Sequence, residues 1–179
     1  AHDLGDVALK IDGLSATSPN PFGTSLKDVS LEIRKGEVLG IGGVAGTGQD
    51  ELLAALSGEL LTRPDAVQMN GTPIGDFGPN QRREIGLLAA PEERLGHAAA
   101  PDMSLFENAA LSGWVRKDMV SGSFINWGKA RGFADEIIAK FDVRTPGSAN
   151  PARSLSGGNL QKFVIGREIL QDPDVLVVN

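Results

Sequence analysis

The chain reads as an α/β fold: a mostly parallel core sheet flanked by helices, with an antiparallel β subdomain and an inserted helical subdomain. Three observations predict this. The apolar run Val38-Leu39-Gly40-Ile41 passes directly into a glycine-rich stretch and then into a helix carrying Leu52, Leu53 and Leu56. Two further apolar runs, Gly86-Leu87-Leu88-Ala89-Ala90 and Val175-Leu176-Val177-Val178, have the composition of strands covered on both faces. Between them, residues from about 95 to 154 carry helical periodicity.

Taken in order, Val7-Ala8-Leu9-Lys10-Ile11 is a short strand that Asp12-Gly13 closes, and the cluster from Ser18 to Gly23 is a turn. Residues 26–33 alternate apolar and polar, the pattern of a half-buried strand. The run at 38–41 is apolar throughout and predicts a buried parallel strand. Residues 67–74 predict a hairpin turning at Asn70-Gly71, and 79–84 one or two helical turns. Ser104 with Glu107 predicts a capped helix start. The clearest amphipathic helix follows Asn126-Trp127-Gly128: Ala130, Phe133, Ala134, Ile137, Ile138 and Phe141 keep the i, i+3, i+4, i+7 spacing of a core-facing stripe. A serine and two glycines at 156–158 then open a helix with Phe163, Val164, Ile165, Ile169 and Leu170, apolar enough for burial on more than one side.

The length of 179 residues suits one domain with an embedded subdomain. A net charge of −6 excludes a general nucleic-acid binder, and the absence of cysteine excludes disulfides and thiolate metal sites. No apolar run approaches the ~20 residues that span a bilayer, and no charged-then-apolar leader is read at Ala1 onward. Contact with a membrane is therefore expected through a partner. Neither His2 nor His97 has ligand-like spacing to another candidate, so no metal site is expected.

Two stretches carry chemistry. Strand, glycine-rich loop, helix is the context of a phosphate-binding loop, and Gly43-Val44-Ala45-Gly46-Thr47-Gly48-Gln49-Asp50 supplies it. Gln49 stands where such loops carry a lysine for the phosphates, and Asp50 where they carry a hydroxyl for magnesium. Losing a charge-assisted contact costs about 1.5–3 kcal/mol, and an ionised Asp50 would repel phosphate. Asp50 equally suits the first turn of a helix, where a carboxylate is favoured. The second stretch is Leu155-Ser156-Gly157-Gly158-Asn159-Leu160-Gln161-Lys162. Unpaired N–H groups at a helix start suit an anion, and glycines let it approach the backbone. The same residues also read as a serine N-cap with a flexible lead-in.

As a full string this second stretch resembles the signature motif of the ABC-type ATPases, and the resemblance extends along essentially the whole chain. Residues 43–50 are similar to Walker A with its lysine and hydroxyl replaced. Pro91-Glu92-Glu93-Arg94 puts Glu92 at the position of the Q-loop glutamine; it is the one candidate near the chemistry, and no other catalytic residue is expected within the chain. Residues 95–154 match the helical insertion, and Val175-Leu176-Val177-Val178 resembles Walker B with Asn179 at the place of its aspartate. The family's catalytic glutamate, D-loop and switch histidine would fall beyond residue 179, so residues 1–179 are expected to form a single, C-terminally truncated nucleotide-binding domain.

Within the family, Gly-Val-Ala-Gly-Thr-Gly-Gln, Pro-Glu-Glu-Arg and the run from Phe141 through the signature resemble the second domain of the tandem ATPase subunits of simple-sugar and nucleoside importers. Leu160 leans toward the nucleoside, basic-membrane-protein-linked branch. The resemblance implies ATP and magnesium as ligands, held weakly or not at all at this domain's own loop. It implies that Ser156, Gly157, Gly158 and Asn159 complete an ATP site on a companion nucleotide-binding domain, and that Phe22 stacks on adenine. The implied partners are that companion domain, transmembrane permease subunits and, indirectly, a solute-binding protein, at the cytoplasmic face of the membrane. A soluble ABC-type ATPase unconnected with transport, expected to keep the lysine, and a non-hydrolysing regulatory domain are the alternatives.

Overall fold

The computed structural model describes residues 4–19, 21–44, 46–91 and 96–179. It divides into two compact units, Ala1–Ala89 and Ala90–Asn179.

In the first unit, β1 (Val7–Ala16) runs between β2 (Leu26–Arg34) and β3 (Val67–Met69), and β4 (Thr72–Pro73) lies outside β3, every pairing antiparallel. Lys10 pairs with Glu32 on one side and Gln68 on the other. β1 does not end at Asp12-Gly13 as expected. Gly13 takes a left-handed conformation (φ 57°), the register shifts between Ile11 and Leu14, and pairing resumes at Leu14 with Val29. Its N–H donates to Ser30 Oγ at 2.9 Å, so the turn signal marks a bulge within a longer strand. β2 alternates as expected, with Val29, Leu31 and Ile33 half-buried and Ser30, Glu32 and Arg34 exposed. The hairpin turns at Asn70 (φ 48°) and Gly71 (φ 81°), the paired left-handed residues of a two-residue loop whose twist matches the strands.

Helix α1 (Gln49–Ser57) starts and stops on left-handed glycines, Gly48 and Gly58. Helix α2 (Pro79–Glu84) carries the fully buried Arg82, whose guanidinium donates to the carbonyls of Ala55 (2.6 Å), Leu56 (2.9 Å), Gly75 (3.1 Å) and Phe77 (2.8 Å). A cation there satisfies the orphan carbonyls at the end of α1. Burial lowers its pKa to about 10, so it stays charged at neutral pH.

Residues 38–41 depart from expectation. They lie outside regular secondary structure, with Val38 98% and Ile41 54% exposed. A central strand holds only when neighbours take its N–H and C=O groups, and no ladder partner for 38–41 is found among the described residues. β5 (Leu87–Ala90) forms as expected, with Leu87, Leu88 and Ala90 buried.

The second unit is built on α3 (Leu105–Gly113), α4 (Trp127–Lys140) and α5 (Gly157–Ile169), with a small hairpin of β6 (Val120–Ser121) and β7 (Phe124–Ile125) and a final strand β8 (Val175–Val178). The predicted stripe of α4 faces inward: Ala130, Phe133, Ala134 and Ile137 are buried against Leu105, Ala109, Leu160 and Phe163, with Ile138 and Phe141 partly covered. α3 opens with the expected capping box, in which Ser104 Oγ accepts from the Glu107 N–H (3.3 Å) and Glu107 Oε2 accepts from the Ser104 N–H (2.7 Å) and hydroxyl (2.6 Å). Ser104's hydroxyl holds the Glu107 carboxyl below its usual range. On the buried side of α5, Arg167 donates to Glu168 Oε1 (2.9 Å) and to the carbonyls of Asn108 (3.2 Å) and Ala98 (2.9 Å). The charges that α5 shares with a solvated helix by composition are thus enclosed and paired, as buried charges must be.

Candidate functional site

The glycine-rich loop folds around its own glutamine. Gly46 (φ 83°) and Gly48 (φ 109°) adopt left-handed conformations that other residues reach only with strain, and they turn the chain into α1. Gln49, the first residue of that helix, sends its side chain back. Its Oε1 accepts from the Thr47 N–H at 3.1 Å and lies 3.2 Å from the Thr47 hydroxyl, and its Nε2 donates to the Val44 carbonyl at 3.0 Å. Gly43 makes room for it, since a Cβ there would lie 2.4 Å from Gln49 Nε2 and 2.9 Å from Thr47 Oγ1. The Thr47 hydroxyl donates to the Val44 carbonyl at 2.7 Å. A loop that cradles phosphate offers free amides to the anion. Here the Thr47 N–H is shared between the carboxamide oxygen at 3.1 Å and the Val44 carbonyl at 3.2 Å instead.

The loop is braced by Ser18 and Thr24, from the turn-rich segment that also carries Phe22. Thr24 Oγ1 donates to the Gly46 carbonyl at 2.6 Å. Glu51 Oε1 accepts from Ser18 Oγ at 2.9 Å and from the Thr24 N–H at 3.1 Å. The Ser18 hydroxyl, foremost, holds the Glu51 carboxyl below its usual range. Phe22, the expected adenine partner, lies within this braced segment and is 97% exposed. The available signal for Glu51 was a carboxylate in the first helical turn after the loop; for Thr24 there was none beyond a turn-rich neighbourhood.

Ala45 of the loop and Glu92 at the Q-loop position lie outside the described residues. Asp50 is exposed on the first turn of α1. Among the described residues no group of three or more His, Cys, Asp or Glu could hold a metal ion. Magnesium seeks near-octahedral oxygen ligands. One carboxylate and a threonine hydroxyl already engaged inside the loop do not fit it.

In the second unit, Ser156 is the N-cap of α5 and Ser156, Gly157 and Gly158 are exposed. Ser156 Oγ accepts from the Asn159 N–H at 3.4 Å and from Asn159 Nδ2 at 3.0 Å. Asn159 Oδ1 in turn accepts from the Arg144 N–H at 3.0 Å. Lys162 Nζ donates to the Asp142 carbonyl at 2.9 Å, so residues 142–144 are tied to the first turns of α5 at two points. Leu160 points into the core. A Cβ at Gly158 would meet no atom within 4 Å, so packing within the chain does not call for glycine there. Asn179, just past β8, donates its N–H to the Ala90 carbonyl at 3.1 Å.

The ABC transporter family model matches residues 26–178. The guanosine import ATP-binding protein NupO of Bacillus subtilis is 36% identical over 177 residues, which cover 99% of this chain and 34% of that protein. The glucose import ATP-binding protein TsgD13 of Haloferax volcanii is 34% identical over 177 residues, 98% of this chain and 32% of that protein. The chain thus spans about a third of the length of the curated relatives it matches. Among solved structures, the dimeric post-hydrolysis state of the ATP-binding cassette MJ0796 bound to ADP and Pi superposes with a TM-score of 0.71. It is 18% identical, over 95% of this chain and 72% of that one, a likeness of fold.

Proposed function

The chain belongs to the ABC transporter family, and we propose that it is a nucleotide-binding domain of an importer for simple sugars or nucleosides, contributing its signature helix rather than its own phosphate loop to ATP hydrolysis. Residues 1–179 form one such domain, with residues 95–154 as its helical insertion. The observation that carries this reading is the Gln49 carboxamide hydrogen-bonded into its own loop, where a working site would leave the amides to phosphate. ATP is accordingly held weakly or not at all at residues 43–50, without magnesium and without turnover, whatever stacking Phe22 offers to adenine.

Ser156, Gly157 and Gly158 close instead over the γ-phosphate of ATP on a companion nucleotide-binding domain. The open space around Gly158 supports this, because an unneeded glycine in a helix costs about 0.5–1 kcal/mol relative to alanine. An oxygen approaching from another chain gives it a use. The Ser156 hydroxyl and the free N–H groups of the first turn stabilise the negative charge that develops on the transferred phosphoryl group. The domain works at the cytoplasmic face of the membrane, against permease subunits that receive solute from a binding protein, with Glu92 in the role of the Q-loop residue. Nucleic acid is not a partner. The relatives' import names, for guanosine and for glucose, support the substrate class.

The test is Ser156→Arg in the assembled transporter. A guanidinium at the N-cap blocks the approach of phosphate, and transport-coupled ATPase activity is expected to vanish while the protein still assembles. Normal turnover in that variant would overturn the proposal.

A further inference from the structure

The hydrogen bonds around Ser156 fix more than the start of a helix. A serine hydroxyl has two acceptor lone pairs and one proton to donate. The Arg144 backbone N–H can only donate, so the Asn159 oxygen must face it and the Asn159 Nδ2 must face Ser156. Asn159 therefore presents two donors to Ser156 Oγ, its backbone N–H and its side-chain Nδ2. Both lone pairs are then engaged, and the one remaining capacity of the exposed hydroxyl is its proton.

We infer that Asn159 is a positioning residue that holds Ser156 as an obligate hydrogen-bond donor, matched to an anionic phosphate oxygen. The inference rests on the proposal above that Ser156 meets a γ-phosphate, and it assigns the polarity of that contact to the Arg144–Asn159–Ser156 chain. The anchor reaches into residues 142–144, which Lys162 pins to α5 through the Asp142 carbonyl. An asparagine clamped this way does not need to touch nucleotide. Its task is to remove from Ser156 the choice of turning its lone pairs toward the phosphate, where they would repel.

A double-mutant cycle in the intact transporter, reconstituted in proteoliposomes and assayed for transport-coupled ATPase activity, tests it. Asn159→Ala is expected to lower kcat/KM by about tenfold when Ser156 is present, the scale of one hydrogen bond to a charged group. In the Ser156→Ala background the same change is expected to cost less than twofold, because there is no hydroxyl left to orient. Asn159→Asp keeps the shape and the bond from the Arg144 N–H but offers Ser156 an acceptor, drawing its proton inward. It is expected to fall to the level of Ser156→Ala or below. Losses from Asn159→Ala that multiply with those of Ser156→Ala would overturn this inference while leaving the signature reading standing. A Ser156→Ala variant with unchanged activity would overturn both.

Discussion

Replacing Gln49 by alanine should tighten nucleotide binding at residues 43–50, the opposite of what removing a polar side chain from a binding loop ordinarily does. Two hydrogen bonds hold the carboxamide in place: the Thr47 N–H to Oε1, and Nε2 to the Val44 carbonyl. In an exposed loop each is worth the low end of the hydrogen-bond range, about 0.5 kcal/mol, or ~1 kcal/mol together. Nucleotide must displace them to reach the Thr47 amide, so their removal is expected to improve affinity by about fivefold. Gln49→Lys should go further, adding a charge-assisted contact to phosphate. Titration of a fluorescent ATP analogue into wild type and both variants measures the effect. Equal binding by Gln49→Ala would refute the reasoning by leaving the missing charge as the whole cause, and weaker binding would make Gln49 a ligand of phosphate rather than its competitor.

Gly166→Ala tests the packing of α5. A Cβ there would lie 2.6 Å from Cδ2 and 2.7 Å from Cγ of Phe141, so the ring must move. Overpacking of this kind costs about 1–3 kcal/mol, read in thermal denaturation as a fall of roughly 2–4 °C per kcal/mol; an unchanged melting temperature would mean that Phe141 yields freely. Glu51→Gln tests the brace under the phosphate loop. Because Ser18 holds the Glu51 carboxyl below its ordinary pKa of 4.5, the unfolded chain binds that proton more tightly than the folded one. The stability the charge contributes is therefore complete above pH 4.5 and lost as pH falls through the lower folded value. Wild type should melt above Glu51→Gln at neutral pH, the gap closing below 4.5; a gap indifferent to pH would rule out the charge as its source.

The elements that were legible in the sequence depend on residues a few positions apart. Asn70-Gly71 needs only its own two left-handed φ angles, Ser104 and Glu107 cap each other within one turn, and the α4 stripe repeats its own spacing. Residues 38–41 are different, because an apolar run specifies only that burial is favourable. Whether it becomes a strand depends on partners distant in sequence, and none is paired with it among the described residues. Arg82 and Arg167 were illegible for a related reason: on a helix a charge reads as solvated unless one knows which carbonyls lie above it. Gly13 punctuated a strand without ending it, since a turn-forming residue cannot say whether the chain beyond it finds its neighbour again.

Gln49 marks where that limit touches function. Its identity alone says that a charge is missing from a phosphate loop, and the missing charge predicts weak binding. The fold-back of its side chain adds a second effect of the same sign, because the carboxamide also occupies the Thr47 amide. The two effects separate by substitution. Alanine removes the competitor without restoring charge, while lysine does both. If absence of charge were the whole story, alanine would bind no better than glutamine. The ordering lysine, then alanine, then glutamine follows only if the loop is filled as well as uncharged. Gly43 ties that filling to the glycine pattern itself: the space its missing Cβ leaves is taken by Gln49 Nε2. A spacing that reads as a place for phosphate is thus kept open here by the need to admit a glutamine.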